Sequence, residues 1–309
     1  MATTHIRIAT RESALALWQA NFVKDQLQAA HPDLSVALVG MTTKGDQWLQ
    51  TPLSEIGGKG LFIKELEVAM LQGKADLAVH SVKDLPAYVP DGFELPLFGF
   101  RDDVRDAVVS PYGDLMSLPE GARVGSSSPR RKAQLLASRP DLDIVSIRGN
   151  VGTRLGLLDE GKYHAIVLAQ AGLSRLEVDR TDTYPIATEL CLPAPGQGAL
   201  GIETLTGSTI SDLLAPLLEP DTMRCVLAER AVSAGLGADC SLPIAANAEI
   251  TAQGDVHLKA LVADDDGATV LRGEAINASS TAVAAEVISL LYDQGAARIL
   301  DALTGKRAK

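Results

Sequence analysis

Short apolar runs alternate with polar loops and helical stretches over the first two thirds of the chain. Residues 5–9 predict a strand, and a polar loop at 10–13 leads into a helix whose apolar residues Leu15, Trp18 and Phe22 recur at helical spacing. Repetition of strand, loop and helix is typical of a parallel α/β fold. Further strands, or strand ends, are predicted at residues 34–41, 76–82, 123–125, 143–147 and 164–169.

A glycine-rich segment interrupts this pattern at residues 56–62. It leads into a predicted helix whose residues Phe62, Leu66, Ala69 and Gly73 fall on one face. We expect the glycine-rich segment to be mobile.

The last part of the chain follows a different pattern. The segment 191–201 is too rich in proline and glycine for regular structure, and it predicts a crossing between two lobes. Beyond it, the pattern predicts a small α+β domain. Its predicted elements are a helix at 223–236, strands at 248–251, 256–262 and 269–275, and one closing helix at 281–303.

The composition is that of a folded globular protein with room for two or three domains in 309 residues. The formal net charge of −11 is opposite in sign to that of a protein that neutralises nucleic-acid phosphates. No apolar run reaches the length of about 18 residues that a membrane helix needs, and the first residues lack the apolar core of a signal peptide. We therefore expect a cytoplasmic protein that binds neither nucleic acid nor membrane.

The three cysteines indicate neither a disulfide framework nor a metal site. Cys191, Cys225 and Cys240 are an odd number, and their spacing matches no CxxC or Cys/His pattern. For any one of them, a small buried thiol is the ordinary interpretation.

Cations cluster in the loops that follow the predicted strands. In a parallel sheet, ligands bind beyond the carboxyl ends of the strands, where helix N-termini carry partial positive charge. The string GSSSPRR places a serine-rich turn before a helix that begins at Pro129, which favours anion binding. Guanidinium groups bind carboxylates through two hydrogen bonds, so a polyanionic small ligand is indicated, although a surface role stays open for any single arginine. The cations are Arg11, Lys83, Arg130, Arg131, Arg148, Arg154 and Arg175.

Asp84 is the carboxylate that directly follows a predicted buried strand, and it lies beside Lys83. An ordinary capping or turn role is the alternative for Asp84, and His80 is expected to pack in the strand. The P-loop spacing GxxxxGK[ST] is absent, which gives nucleotide binding little support.

Seven strings together identify a family resemblance along essentially the whole chain. The chain resembles the porphobilinogen deaminases, and the number and order of the matching strings make chance agreement very improbable. The strings are IATRESALALWQA, GGKGLFIKELE, AVHSVKDLP, GSSSPRR, RGNVGTRL, LPAPGQGALGIE and ERAVSAGLGADCSLPIA.

The resemblance implies a fold of two periplasmic-binding-protein-like α/β lobes and a small C-terminal α+β domain. The implied first lobe comprises residues 1–100 and 198–219, because the chain crosses back near residue 200 to complete it. Residues 101–197 form the second lobe, and residues 220–309 form the C-terminal domain that carries the cofactor cysteine. The family resemblance also leads us to expect a monomer.

The resemblance further implies a covalent dipyrromethane cofactor, built from two substrate molecules and attached by a thioether to the cysteine that matches Cys240. Four porphobilinogen units are then added in turn, each losing ammonia, and water releases the linear tetrapyrrole hydroxymethylbilane. Asp84 matches the catalytic aspartate of the family. The implied cofactor- and substrate-binding residues are Arg11, Ser13, Lys59, Phe62, Lys83, Ser127, Ser128, Arg130, Arg131, Arg148, Gly149, Arg154, Arg175 and Gln197.

This implied chemistry agrees with the pattern of charges. Each pyrrole brings an acetate and a propionate, so a growing chain accumulates carboxylates that need several fixed cations. Loss of ammonia leaves an electron-poor azafulvene, and the attacking pyrrole becomes transiently cationic. A carboxylate such as Asp84 stabilises that charge and relays protons, and no metal is needed.

The sequence departs from the family pattern at two places. Ala238 and Asp239 precede Cys240 where two small residues are usual, and Pro129 precedes the paired arginines where leucine is common. Two other functions stay open from the residues alone: an anion-binding protein of the solute-receptor type, and an enzyme that uses Cys240 as a redox or acyl-transfer nucleophile.

Overall fold

The computed structural model describes residues 5–43, 63–237 and 242–307. The chain divides into two compact units, the first formed by residues 1–102 and 199–223 and the second by residues 103–198 and 224–309.

The first unit is an α/β lobe around a five-stranded sheet. Its strand order is β2-β1-β3-β10-β4. β1, β2 and β3 are parallel, whereas β10 runs antiparallel to both of its neighbours. The strands are β1 (His5–Arg11), β2 (Ser35–Met41), β3 (Leu77–Ser81), β4 (Phe93–Gly99) and β10 (Leu200–Leu205), and the helices are α1 (Ala14–Ala30), α2 (Lys64–Leu71) and α6 (Ile210–Leu214).

The core of this lobe forms where α1 covers the sheet. Ile6 and Ile8 of β1 pack with Ala20, Val23 and Leu27 of α1, and all five are buried. The buried positions of α1 recur at helical spacing, so one apolar stripe faces the strands while the other face is polar.

The second unit contains another α/β lobe, whose sheet has the same pattern of parallel and antiparallel strands but a different order along the chain. Its strand order is β7-β6-β8-β5-β9, with β6, β7 and β8 parallel and β5 antiparallel to both neighbours. The strands are β5 (Asp106–Val109), β6 (Arg123–Gly125), β7 (Asp143–Val145), β8 (Ala165–Ala169) and β9 (Thr183–Pro185), and the helices are α3 (Pro129–Ser138), α4 (Val151–Asp159) and α5 (Gln170–Arg175).

The antiparallel strand of each lobe begins where the parallel strands end. Asp106, the first residue of β5, pairs with Ala169, the last residue of β8. Leu200, the first residue of β10, pairs with Ser81, the last residue of β3. Residues at the start of β5 and β10 therefore lie at the sheet edge where ligands bind in parallel α/β folds.

The second unit also contains a small α+β domain. Its antiparallel sheet has the order β11-β12-β13, and apolar residues on one face of the sheet pack against the helices. Its elements are α7 (Pro220–Gly235), which belongs to this unit from Arg224 onwards, β11 (Ile244–Ile250), β12 (Val256–Ala263), β13 (Val270–Asn277), α8 (Ser280–Asp293) and α9 (Ala296–Arg307).

The predicted fold class, two α/β lobes and a small C-terminal α+β domain, is confirmed by these three sheets. The prediction of one closing helix at 281–303 is wrong, because Gly295 has a positive φ of 99° and separates α8 from α9. The sequence pattern did not predict β4, β5, β9 or β10, and β10 begins at Leu200, within the segment 191–201 that was predicted to lack regular structure. β4 contains Pro96 and lies at the sheet edge, where a missing backbone N–H is tolerated.

Within the described residues, no helix is both long and apolar enough to cross a membrane.

The turn between β12 and β13 packs against the backbone of α3, which gives a stability prediction. Gly267 has a φ of 73°, and a Cβ there would overlap the carbonyl oxygen of Ala133 and lie 2.9 Å from the backbone nitrogen of Ala137. Gly267→Ala places a non-glycine residue in a left-handed conformation, which lowers the free energy of unfolding by about 1–2 kcal/mol. The overlap of its Cβ with α3 is overpacking, which typically costs a further ~1–3 kcal/mol. Urea denaturation measures the loss of unfolding free energy.

Gly254→Ala is the matched control for this prediction. Gly254 also has a positive φ, of 86°, but a Cβ there would meet no atom within 4 Å. We expect this variant to lose only the conformational part, about 1–2 kcal/mol. Equal losses in the two variants would contradict the close approach of the turn to α3.

Candidate functional site

A small cavity of about 80 Å³ opens at the ligand edge of the first lobe, at the carboxyl ends of β1 and β3. Predicted site residues from two separate segments, Arg11 and Ser13 from one and Asp84 from the other, line it together. Its polar lining residues are Arg11, Ser13, Gln19, His80, Ser81 and Asp84.

Local folding explains how these side chains reach the cavity. Arg11 is the last residue of β1, and Ser13 caps α1 by accepting a hydrogen bond from the backbone nitrogen of Ala16 at 3.4 Å. After β3, the chain turns through a short 3₁₀ segment, Val82–Asp84, which leaves the Asp84 carboxylate exposed. Lys83 lies half-buried in the same turn.

A buried acid–imidazole pair lies against this cavity. His80 Nε2 is 2.8 Å from Glu203 Oε2, and the two residues are 8% and 2% exposed. The expectation that His80 packs in its strand is confirmed. Burial raises the pKa of nearby Glu67, the Glu203 carboxylate raises it further, and His80 and Lys64 partly oppose the increase.

In the second lobe, the serine loop leads into the N-terminus of α3. Ser127 Oγ donates to the carbonyl oxygen of Ile147 at 2.6 Å and accepts from the Ile147 backbone nitrogen at 3.0 Å. Ser128 caps α3 by accepting from the backbone nitrogen of Arg131 at 3.4 Å, and Pro129 occupies the first helical position as predicted. These contacts tie the serine loop to the loop after β7.

The N-terminus of α4 brings Arg148, Gly149 and Arg154 together. Arg154 Nε donates to the carbonyl oxygen of Gly149 at 2.8 Å, and Asn150 caps the helix by accepting from the Thr153 backbone nitrogen at 2.9 Å. Gly149 has a φ of 104°, and a Cβ there would lie 2.6 Å from Thr153 Cγ2. This turn therefore requires glycine, and Arg148 lies half-buried in it.

The paired arginines of α3 turn their guanidinium groups into the lobe. Arg130 and Arg131 are 4% and 7% exposed, and both bind Asp106, which is fully buried. Arg130 Nη2 donates to Asp106 Oδ2 at 2.7 Å, and Arg131 donates through Nη2 and Nε to Asp106 Oδ1 at 2.6 and 3.0 Å. Arg130 also donates to the carbonyl oxygen of Leu192, and Arg131 to that of Val167.

The crossing segment joins this buried network. Gln197 Nε2 donates to Asp106 Oδ1 at 3.0 Å and to the Val104 carbonyl oxygen at 2.7 Å. Arg175, which is 6% exposed, donates to the carbonyl oxygen of Gly198. The predicted residue Gln197 thus anchors the segment that precedes β10 to Asp106, and the predicted residue Arg175 contacts the same segment at Gly198.

A second buried carboxylate, Glu229 of α7, holds the same segment from the C-terminal domain. Glu229 accepts from the backbone nitrogen of Gly196 at 2.6 Å and from that of Ala248 in β11 at 2.7 Å. A buried carboxylate needs such donors to offset its desolvation, and here the donors come from two different segments.

The thiol of Cys191 lies in the hydrogen-bond network of Asp106 and is unreactive. Its Sγ lies 3.4 Å from Asp106 Oδ2, and burial together with the Asp106 charge raises its pKa to about 12, although Arg130 and Arg131 oppose the increase. Among the described residues, Cys191 and Cys225 are buried and form no disulfide bond. The described residues contain no group of three or more His, Cys, Asp or Glu that could hold a metal ion.

Three predicted site residues, Cys240, Lys59 and Phe62, lie outside the described residues, as do Ala238 and Asp239.

Sequence reasoning missed the buried acids Asp106, Glu203 and Glu229. The ligand edge of a parallel sheet directs attention to residues that follow a strand, whereas Asp106 begins an antiparallel strand and Glu203 lies within another. A signal was present, since Asp106 stands in the otherwise apolar strand DAVV and Glu203 in the mainly apolar strand LGIETL. Glu229 lies inside a helix, where an acidic residue gives no comparable signal.

The donor set of the described residues fits a dipyrromethane with carboxylate side chains. Arg11 and Ser13 line the first-lobe cavity, and the second lobe offers two helix N-termini with capping side chains and nearby arginines. Guanidinium groups and helix N-termini are the groups that bind carboxylates in proteins.

Comparison with known proteins identifies similar sequences over most of the chain. A family model described as "Porphobilinogen deaminase, dipyromethane cofactor binding domain" matches residues 6–211. A second, "Porphobilinogen deaminase, C-terminal domain", matches residues 223–291. The porphobilinogen deaminase of Thiobacillus denitrificans is 50% identical over 302 residues, which cover 96% of this chain and 98% of that protein.

Solved structures of binding domains are also similar at lower levels. The BenM effector binding domain with benzoate has a TM-score of 0.43 and 14% identity, covering 70% of this chain and 93% of that chain. The aliphatic sulphonate binding protein SsuA of Escherichia coli has a TM-score of 0.41 and 13% identity, covering 74% of this chain and 70% of that chain.

Proposed function

The chain belongs to the porphobilinogen deaminase family, and on this premise we propose how its residues condense four porphobilinogen molecules head to tail into hydroxymethylbilane. The enzyme is a deaminating transferase of tetrapyrrole biosynthesis. The observation that carries the proposed mechanism is the first-lobe cavity, which brings the Asp84 carboxylate, Arg11 and Ser13 to one place at the strand ends.

The cofactor of this family is a dipyrromethane, which supplies a covalently bound primer to which substrate pyrroles are added. Its proposed attachment point is the sulfur of Cys240. Proposed binding residues in the first lobe are Arg11, Ser13, Lys59, Phe62 and Lys83. Those in the second lobe and the crossing segment are Ser127, Ser128, Arg130, Arg131, Arg148, Gly149, Arg154, Arg175 and Gln197.

The binding residues act by neutralising carboxylates. Each porphobilinogen carries two carboxylates, and taking them out of water is favourable only where charged or oriented donors replace the lost hydration. The capped N-termini of α3 and α4 add partial positive charge to that of the arginines. Most of these donors are already oriented by protein contacts, which reduces the cost of ordering them when substrate binds.

Asp84 is the proposed catalytic residue. Its carboxylate is exposed at the cavity, where it can reach a bound pyrrole, and the 3₁₀ turn after β3 holds its backbone. A negative charge at this place stabilises the positive charge that develops on a pyrrole nitrogen during condensation. The same carboxylate can accept the proton that the attacking pyrrole releases and pass a proton to departing ammonia.

We also propose the organisation of the chain in solution. The three sheets support a division into three domains, with residues 1–100 and 198–219 in the first, 101–197 in the second and 220–309 in the third. The enzyme acts as a monomer in the cytoplasm on a small-molecule substrate, as the chemistry requires no partner protein.

Replacing the cofactor cysteine tests the proposed function directly. We expect the wild-type intact mass to exceed the chain mass by one dipyrromethane, and Cys240→Ser to fold but lose this mass and almost all turnover, because serine cannot form the thioether. Cys225→Ser is the matched control and should keep both the mass and the activity, since Cys225 is a buried thiol in the core of the C-terminal domain. A Cys240→Ser protein that retains a bound dipyrrole would disprove the assignment.

Replacing Asp84 tests the proposed mechanism. Asp84→Asn keeps the size of the side chain but removes its charge and basicity, and a positioned acid or base typically contributes about 10²- to 10⁴-fold in rate. We expect kcat to fall by at least that range while the protein still carries its cofactor. Asp91→Asn, which changes an exposed carboxylate of the same lobe outside the cavity, should leave kcat unchanged. Wild-type kcat in Asp84→Asn would remove this residue from the mechanism.

A further inference from the structure

Asp106 is the centre of a buried charge cluster at the ligand edge of the second lobe. Its side chain is fully buried, and its two oxygens accept from the guanidinium groups of Arg130 and Arg131 and from the amide of Gln197. One carboxylate thus faces two arginines, which leaves a net positive charge in a place that excludes water.

We propose that Asp106 is a positioning residue, which acts through Arg130 and Arg131 to hold the carboxylate-binding end of α3 in the arrangement that receives the cofactor. This inference rests on the proposed function, because it assumes that the cofactor binds at the arginines and serines of this loop.

Arg131 is fixed at both ends. Its backbone nitrogen donates to Ser128 Oγ at the cap of α3, while its guanidinium group donates twice to Asp106 Oδ1. The position of the capping serine and that of the Asp106 carboxylate are therefore linked through one residue. Two hydrogen bonds to the same oxygen restrict rotation of the guanidinium plane more than a single contact does.

Burial would otherwise disfavour a charged arginine at this place. Burial lowers the pKa of Arg130, but the Asp106 carboxylate and Cys191 together more than offset this, so that the pKa lies above its ordinary value. Asp106 therefore helps Arg130 to stay charged inside the lobe, where its field is less screened than at the surface.

The crossing segment is held by the same carboxylate. Gln197 donates to Asp106, and its neighbour Gly196 donates to Glu229 of α7. α7 ends at Gly235, five positions before Cys240 in the sequence. Displacing Asp106 therefore disturbs both the arginines and the segment anchored to the helix before the cofactor cysteine.

Asp106→Asn distinguishes positioning from simple charge attraction, because the two predict opposite effects. If charge alone mattered, removing a negative charge beside two arginines would speed the uptake of a polyanionic cofactor. If Asp106 positions the arginines, uptake slows instead, by about 10- to 100-fold, as happens when supporting partners of other preorganised sites are removed. Apoenzyme, produced in cells that make no porphobilinogen, is mixed with porphobilinogen, and the gain of dipyrrole mass is followed with time. A rate equal to or above wild type would overturn the proposal.

Asp106→Asn leaves two buried guanidinium groups without their carboxylate, which destabilises the fold. A second comparison therefore measures the effect of Asp106 from a different starting variant. Arg130→Gln alone retains the contact between Asp106 and Arg131. Adding Asp106→Asn to Arg130→Gln removes the anchor of Arg131, so we expect uptake to slow at least a further tenfold in the folded fraction, measured by circular dichroism. Equal uptake rates for the single and double variants would overturn the proposal.

Asp182→Asn is the matched control, because Asp182 pairs with Arg180 in the same lobe but is partly exposed. We expect it to take up cofactor at the wild-type rate, and a slowing equal to that of Asp106→Asn would mean that any lost ion pair in this lobe has the same effect, which overturns a specific role. If the wild-type chain gains no dipyrrole mass, the proposed function itself fails. A wild-type gain with unaffected variants rejects the role of Asp106 alone.

Discussion

The contact between the buried Asp106 carboxylate and two guanidinium groups organises the second lobe. Charged groups are rarely taken fully out of water unless they are paired, and here one carboxylate serves Arg130 and Arg131 together. The serine cap of α3, the crossing segment and the thiol of Cys191 are all arranged around this charge. The orientation of the paired arginines that follow the serine loop therefore depends on Asp106, which lies deeper in the lobe.

Each lobe uses its antiparallel strand in a similar way. In the second lobe, β5 begins at the ligand edge with Asp106, and in the first lobe β10 brings Glu203 to His80 beside the cavity. An antiparallel strand in a mainly parallel sheet presents its first residues at the edge where the parallel strands end. Buried acids can thus lie beneath the cationic loops that the parallel strands supply, and in the second lobe Asp106 orients two of the cations.

Much of the fold could be predicted from the sequence, because periodicity reports which face of an element is buried. Apolar patterning located the strands whose carboxyl ends carry Arg11, Asp84 and Arg148. The start of α3 was located from Pro129, because proline is favoured in the first turn of a helix. The closing helix was predicted as one element because alanine-rich sequence continues through Gly295, and periodicity does not reveal its left-handed φ.

The inner part of the candidate site could not be predicted, for a physical reason. The orientation of Arg130 and Arg131 depends on Asp106, which is 24 residues away from Arg130 in sequence and is brought near by strand pairing. Local pattern carries no information on such pairing. The sequence therefore indicated that the arginines belong to an anion-binding loop but gave no sign that their guanidinium groups turn inward to a carboxylate.

The most direct test of this account is a crystal structure of the enzyme with its dipyrromethane bound. The account predicts that Asp106 remains within hydrogen-bond distance of Arg130 and Arg131 while the pyrrole carboxylates lie at the α3 and α4 N-termini, near Ser128 and Arg154. A structure in which the guanidinium group of Arg131 has left Asp106 to bind the cofactor would contradict it, because Asp106 would then compete with the cofactor for the arginine.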